Sequence, residues 1–156
     1  MPAYDSILVP FDGSEAAIRA LEAAVFIADD NSVITLLQVA DEPLVDDPTA
    51  VVAKRMAGTI RDEQEAQKEA AQYWEGIDES LERVAKEARA TTNEDITINC
   101  VVKSGDAADV IADYAKENDT DIIVMGRRGL GGVRAMLGSV SQRVAHETDL
   151  PLLLVR

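Results

Sequence analysis

The stretch that most limits how this chain can fold runs from Asp121 to Ser141, DIIVMGRRGLGGVRAMLGSVS. It opens with an apolar run, Ile122 to Met125, short enough to be a buried strand. Gly126, Gly129, Gly131 and Gly132 follow, and a new helical pattern begins at Gly138-Ser139. A strand that passes through glycines into a helix lets the backbone turn sharply and approach a ligand with no Cβ in the way. The N–H groups at the helix start carry partial positive charge, so the junction suits a phosphate. It also has a purely structural reading: Ser139-x-x-Gln142 has the form of a capping box, in which the Ser139 hydroxyl closes the helix whatever is bound.

The rest of the chain supplies the elements around that junction. Ser6 to Phe11 is an apolar run ending at Asp12-Gly13-Ser14, after which Ile18, Leu21, Ala24 and Val25 recur at helical spacing. This is strand one into helix one, with Asp12 or Ser14 as the cap and Asp29-Asp30-Asn31 as the end. Ser32 to Val39 is β-branched and apolar without interruption, as expected of a strand covered on both faces. From Ala40 to about Thr59 the pattern is broken by Pro43, Asp46-Asp47-Pro48 and Gly58, which predicts a connection with a short helix around Ala50 to Met56. A long helix follows, striped by Ala66, Ala70, Tyr73, Ile77, Leu81, Val84 and Ala88, with Trp74 beside the stripe.

After a polar turn at Thr92 to Asp95, Ile96 to Val102 alternates as a third strand. Lys103 to Asp106 leads into a helix that turns Val110, Ile111, Tyr114 and Ala115 inward, and a last helix around Val140 to Glu147 precedes a strand, LLLVR, opened by Pro151. Strands alternating with helices predict an α/β fold whose parallel sheet has about five strands and helices on both faces. Ligands of such sheets collect at the carboxyl ends of strands, where the strand order reverses. Asp12 and Gly126 both sit at such ends and form opposite lips of one crevice if strands one and four are neighbours.

Composition bounds the function. With 156 residues, 47% of them hydrophobic, the chain is expected to be one domain, 1–156, with a core that needs neither disulfides nor metal. A net charge of −14 argues against nucleic acid or an anionic membrane as partner. Asp and Glu outnumber Lys and Arg by 29 to 15, and Arg is favoured over Lys, a balance that resembles proteins of salt-loving organisms. Because this field repels nucleotides at long range, a phosphate site needs local positive charge, which Arg127 and Arg128 can supply. The lone Cys100, in ITINCVV, reads as a packed residue rather than a reactive thiol. No apolar run reaches membrane-span length and no signal peptide opens the chain, so the expected compartment is the cytoplasm.

Several chemistries are excluded by what is missing. There is no G-x-x-x-x-G-K-[ST], no G-x-G-x-x-G after strand one and no G-x-S-x-G elbow. The only histidine, His146, has no Cys or Asp array at ligand spacing, so a surface position is expected. A receiver domain needs an acidic cluster after strand one, where this chain has Asp12 alone.

Six fragments in order carry a resemblance: ILVPFDGSEAA, LLQVAD, V-x-x-G-D-A-A-D-V-I, DIIVMGRRG, LGSVS and PLLLV. Together they resemble the universal stress protein family from end to end, including its nucleotide-binding motif Gly126-x-x-Gly129, a gap, and Gly138-Ser139. The gap from Leu130 to Leu137 is one residue shorter than is usual in the family. The resemblance implies a single doubly wound domain with a five-stranded parallel sheet of order 3-2-1-4-5. It implies that Pro10 and Asp12 line the adenosine end, that Val39 offers backbone groups to adenine and that Met125 packs on the base. Gly126, Gly129, Gly138, Ser139, Val140 and Ser141 would hold the phosphates of ATP, ADP or AMP through backbone N–H and hydroxyl groups, with Arg127 counted among the site residues for its charge. A Mg²⁺ ion would be held mainly by the phosphates and water.

A homodimer paired through Leu152 to Val155 is implied as well, together with a client protein that the residues do not identify. No general base, phosphoryl-transfer Lys or metal-carboxylate pair is assignable, so the resemblance suggests a nucleotide-dependent stress-response switch. Two alternatives stand beside it. One is a homodimeric interaction protein that has lost nucleotide binding, and the other is a slow ATPase.

Overall fold

The structure, a computed structural model, describes residues 4–40, 52–53, 55–58, 63–92, 95–128 and 137–156. Five parallel strands, β1 (Ser6–Pro10), β2 (Val33–Ala40), β3 (Thr97–Ser104), β4 (Ile122–Gly126) and β5 (Leu152–Val155), form one sheet in the order β3-β2-β1-β4-β5. They alternate with α1 (Glu15–Ile27), α2 (Glu63–Ala90), α3 (Ala107–Glu117) and α4 (Ser139–Glu147). The expected strand order and parallel pairing are thus observed. Of the short helix expected around Ala50 to Met56, Val52, Ala53, Arg55 and Met56 have helical backbone; the other residues between 41 and 62 (except 57 and 58) and residues 93–94 of the polar turn lie outside the described residues.

Strand periodicity divides the core into two layers. Ile7, Val9, Ile34, Leu36, Ile98, Ile122 and Val124 face α1 and α2, joining Ala17, Ala20, Leu21, Leu81 and Ala85. Leu8, Leu37, Ile123 and Met125 face the other way, against Ala108, Ile111 and Ala115 of α3 and Val144 of α4. The apolar runs in β1 and β4, and the largely apolar β2, therefore follow from burial on both sides of the sheet.

Local signals set the helix ends. Ser14, not Asp12, caps α1, its Oγ accepting from Ala17 N–H at 3.1 Å, while Asp12 Oδ1 accepts from Ser14 N–H at 2.9 Å. Gly13, at φ +79°, completes a turn that a Cβ would strain. Ser14→Ala is expected to lower stability by about 0.5–2 kcal/mol, because one orphan N–H of α1 loses its acceptor in a buried setting. A urea melt checks this, and Ser14→Asp should recover most of the loss.

On α2 the buried stripe runs Ala66, Ala70, Trp74, Ile77, Leu81, Ala85 and Ala88, so Trp74 is half-buried and Tyr73 lies outside the stripe, 38% exposed. The two rings meet edge to face, with centroids 5.7 Å apart. The expected stripe differs at one turn, where Trp74 rather than Tyr73 takes the half-buried place; Val84 is half-buried against the same core as expected. Cys100 is half-buried on β3, and burial, with the nearby Glu82 carboxylate, raises its thiol from 9.0 to about 11. At neutral pH it is a neutral, packed group. His146 is exposed on α4.

Candidate functional site

β1 is central: its chain continues through α1 to β2 on one side, and β4 lies on the other. The connections leave the carboxyl ends of β1 and β4 in opposite directions, which opens a crevice there. A cavity of about 470 Å³ fills it, within the range of small-molecule sites. Its walls are Pro10, Phe11, Asp12, Ser14 and Ala17 from β1 and α1, Leu37 and Val39 from β2, Ala107 and Ile111 from α3, Met125, Gly126 and Arg128 from β4 and its end, and Gly138 to Ser141 from α4.

Pro10, Asp12, Val39, Met125, Gly126, Gly138, Ser139, Val140 and Ser141 are brought together in this one cavity. Gly129 lies outside the described residues. Arg127 does not line the cavity, and Arg128 does. Arg127 instead uses its backbone for closure, its N–H donating to Val155 O at 2.7 Å and its carbonyl accepting from Gly138 N–H at 2.9 Å. That second bond joins the described residues on either side of the glycine segment. Sequence reasoning did not select Phe11, Ser14, Ala17, Leu37, Ala107 and Ile111 as site residues. Leu37 was findable as the residue two before Val39 on the same strand face, and Ile111 as an inward position of α3.

The expected capping box is not formed. Gly138 is the N-cap of α4 and Ser139 its first helical residue; no side chain caps the turn, and Gln142 N–H makes an ordinary helical bond to Gly138 O at 2.9 Å. The frame is set by the Arg127–Gly138 bond, which starts the helix one residue earlier than a Ser cap requires. The first-turn N–H groups of Ser139, Val140 and Ser141 therefore have neither an intrahelical acceptor nor a side-chain cap, and all three residues line the cavity. An anion is the natural complement of such a helix end. The Ser141 hydroxyl is engaged elsewhere: 2% exposed, it donates to Gly126 O at 2.9 Å, with Arg127 O at 3.3 Å, and so pins α4 to the end of β4.

The glycines fit more tightly than ligand approach alone would require. A Cβ on Gly126 would lie 2.8 Å from Ala16 Cβ and 3.0 Å from Ala16 C, so the space is taken by α1. A Cβ on Gly138 would meet Arg127 O and Arg128 Cα, each at 3.3 Å. Gly126 is thus required by the packing of α1 on the end of β4, and Gly138 sits in tight contact with the turn after β4.

Beside the cavity, Asp106 caps α3, its Oδ1 accepting from Asp109 N–H at 3.2 Å. Arg143 of α4 donates through Nη1 to both Asp106 oxygens, at 2.8 and 2.9 Å, and through Nη2 to Asp109 at 2.7 Å and Glu147 at 3.3 Å. The Arg143 hydrogen bonds, helped by the Asp109 amide, hold the Asp106 carboxyl below its ordinary 3.8. A carboxyl depressed in the folded state contributes stability that is present above the unfolded value and lost as pH falls through the folded one. The acid limb of a stability–pH curve is therefore expected to be shallower in Asp106→Asn than in wild type below about pH 4, as denaturant melts from pH 7 to 2 will read.

Fold and cavity define a class: a doubly wound α/β domain with a small-molecule cavity at the switch point of its sheet and an uncapped helix N-terminus in its wall. The chain belongs to the universal stress protein family, whose sequence model matches residues 3–156. It is 31% identical to universal stress protein YxiE of Bacillus subtilis over 159 aligned positions, covering 98% of this chain and 99% of that one. It is also 31% identical to universal stress protein MJ0531 of Methanocaldococcus jannaschii, covering 98% of this chain and 82% of the other. Among solved structures it is similar to universal stress protein UspA of Lactobacillus plantarum, with a TM-score of 0.69 at 26% identity and 100% of both chains covered. The hypothetical protein MJ0577 superposes with a TM-score of 0.75 at 25% identity, over 99% of this chain and 96% of that one.

Proposed function

We propose that this universal stress protein binds an adenine nucleotide, ATP or its di- or monophosphate, and works as a nucleotide-dependent switch in the stress response. The observation that carries the reading is the open first turn of α4, Ser139 to Ser141, facing a cavity whose opposite lip is Asp12 and Val39. Phosphates would sit against the α4 N–H groups with Arg128 beside them, and the base between Val39 and Met125. Asp12, one oxygen of which is engaged by Ser14 N–H, keeps its other oxygen for a ribose hydroxyl or base N–H. The donor set fits a polyphosphate, because backbone N–H groups and one guanidinium neutralise charge that the chain's overall −14 would repel.

A Mg²⁺ ion, where present, would come with the phosphates and lower their charge. Among the described residues no group of three or more His, Cys, Asp or Glu is arranged to hold a metal, and no helix is long and apolar enough to cross a membrane. The nucleotide would alter a surface read by a client protein. A homodimer through β5 belongs to the same reading, supported by the edge position of Leu152–Val155 and the 37% exposure of Leu153.

The test is to purify the protein without added nucleotide, release bound molecules with acid and identify them by mass spectrometry. An empty preparation is then titrated with ATP and Mg²⁺ at low and high salt. Nucleotide near one per subunit, or saturable binding, is the expected result. A protein that neither retains nor binds nucleotide overturns the reading in favour of an interaction dimer, and turnover of bound ATP would add a slow ATPase activity.

A further inference from the structure

We propose that Arg143 is a positioning residue for the cavity: forked across Asp106 and Asp109, it holds the α3 wall in register with the open first turn of α4. Asp106 directly precedes Ala107, and Ile111 lies one turn further on; both line the cavity. On the opposite side, Arg143 follows Ser139 by one helical turn and Val140 by three residues, so one guanidinium joins the bases of two cavity walls. The remaining packing of α3 on α4 is apolar, Val144 with Ala108 and Ile111, and apolar contact sets proximity without fixing rotation. The guanidinium spans two carboxylates, Nη1 on both Asp106 oxygens and Nη2 on Asp109, and its rigid plane fixes distance and angle together.

The α4 helix is then held on two sides. Gly138 N–H and the Ser141 hydroxyl tie it to Arg127 and Gly126 at the end of β4, and Arg143 ties it to α3. Three carboxylates, Asp106, Asp109 and Glu147, share the one guanidinium, so the cluster keeps an excess of negative charge. Loss of Arg143 would disturb both geometry and charge, and the two are separable: lysine keeps the charge but has no fork.

The ligand arm of the test rests on the adenine-nucleotide reading; a second arm does not. Wild type, Arg143→Gln and Arg143→Lys are titrated with ATP and with adenosine, and amide hydrogen exchange is followed in all three without ligand. Both variants are expected to lose ATP affinity by about tenfold while adenosine affinity changes by less than about twofold, because the phosphates alone depend on α4. Without ligand, the hydrogen-bonded amides at the two helix starts, Asp109 and Val110 of α3 and Gly138 and Gln142 of α4, should exchange faster in both variants, and those of β1 and β4 should not change. Recovery of wild-type affinity by Arg143→Lys would reduce the residue to a charge and overturn the proposal. Equal loss of ATP and adenosine binding, with faster exchange throughout the sheet, would overturn it as a general folding defect. If wild type binds neither ligand, the nucleotide reading fails on its own, and the exchange arm still decides: local acceleration at the two helix starts upholds the positioning role, and unchanged exchange removes it.

Discussion

Gly126→Ala should lose about 1–3 kcal/mol of folding stability, the range for overpacking a close-packed site. For a chain of this size each kcal/mol corresponds to about 2–4 °C in Tm. The added Cβ would fall 2.8 Å from Ala16 Cβ, 3.0 Å from Ala16 C and 3.1 Å from Arg128 O, and two of those three atoms are backbone. No rotamer change can relieve such contacts, so α1 or the end of β4 must move. Ala16 sits between Ser14 and Ala17, both in the cavity wall, and any shift of α1 is passed to the Asp12 lip. Nucleotide binding should therefore weaken together with stability. The double variant Ala16→Gly, Gly126→Ala removes the Cβ–Cβ contact and should recover part of the stability, offset by about 0.5–1 kcal/mol for glycine in a helix. Thermal melts of the two single variants and the double variant form the cycle. A Gly126→Ala protein as stable as wild type would show that the close approach of α1 to β4 is wrong.

Leu81→Ala should cost more, about 3–5 kcal/mol, the range of buried leucine truncations that leave a cavity. Leu81 is fully buried between α2 and the sheet, in the cluster that contains Ile34, Leu36 and Ile98. Its helix is otherwise lightly anchored. Ala85 and Ala66 are small, and Trp74, Ile77 and Val84 are only half-buried, so Leu81 carries much of the apolar area by which α2 docks. Trp74→Ala, at a partly solvated position, is expected to cost less than Leu81→Ala despite its larger side chain. Urea melts order the two, and the reverse order would place the anchor of α2 at Trp74.

Much of this was legible beforehand because it depends on pattern rather than on contact. The apolar runs at Ile7 to Val9 and Ile122 to Val124, broken by helical periodicity, specify a parallel sheet covered on both faces, and glycines after β4 mark where a ligand can enter. What sequence reasoning misplaced depends on three-dimensional partners. Ser139 has the chemistry of a cap, but the bond from Gly138 N–H to Arg127 O sets the helix frame and leaves Ser139 inside it. Gly126 looks like room for a ligand, and the room is used by Ala16. Arg127 and Arg128 are chemically equal in the sequence; only the turn after β4 decides that Arg128 reaches the cavity wall. The salt-bridged fork of Arg143 joins residues 37 positions apart and has no local signature at all.

The central claim is that an adenine nucleotide occupies the switch-point cavity with its phosphates on the start of α4. The most direct measurement is a titration of ¹⁵N-labelled protein with ATP and Mg²⁺, followed by amide chemical shifts. Saturable shifts centred on Gly138, Ser139, Val140 and Ser141, with smaller ones at Asp12 and Val39, are the result expected from the open helix turn and the opposite lip. An unperturbed spectrum, or shifts that gather away from the carboxyl ends of β1 and β4, would contradict the claim.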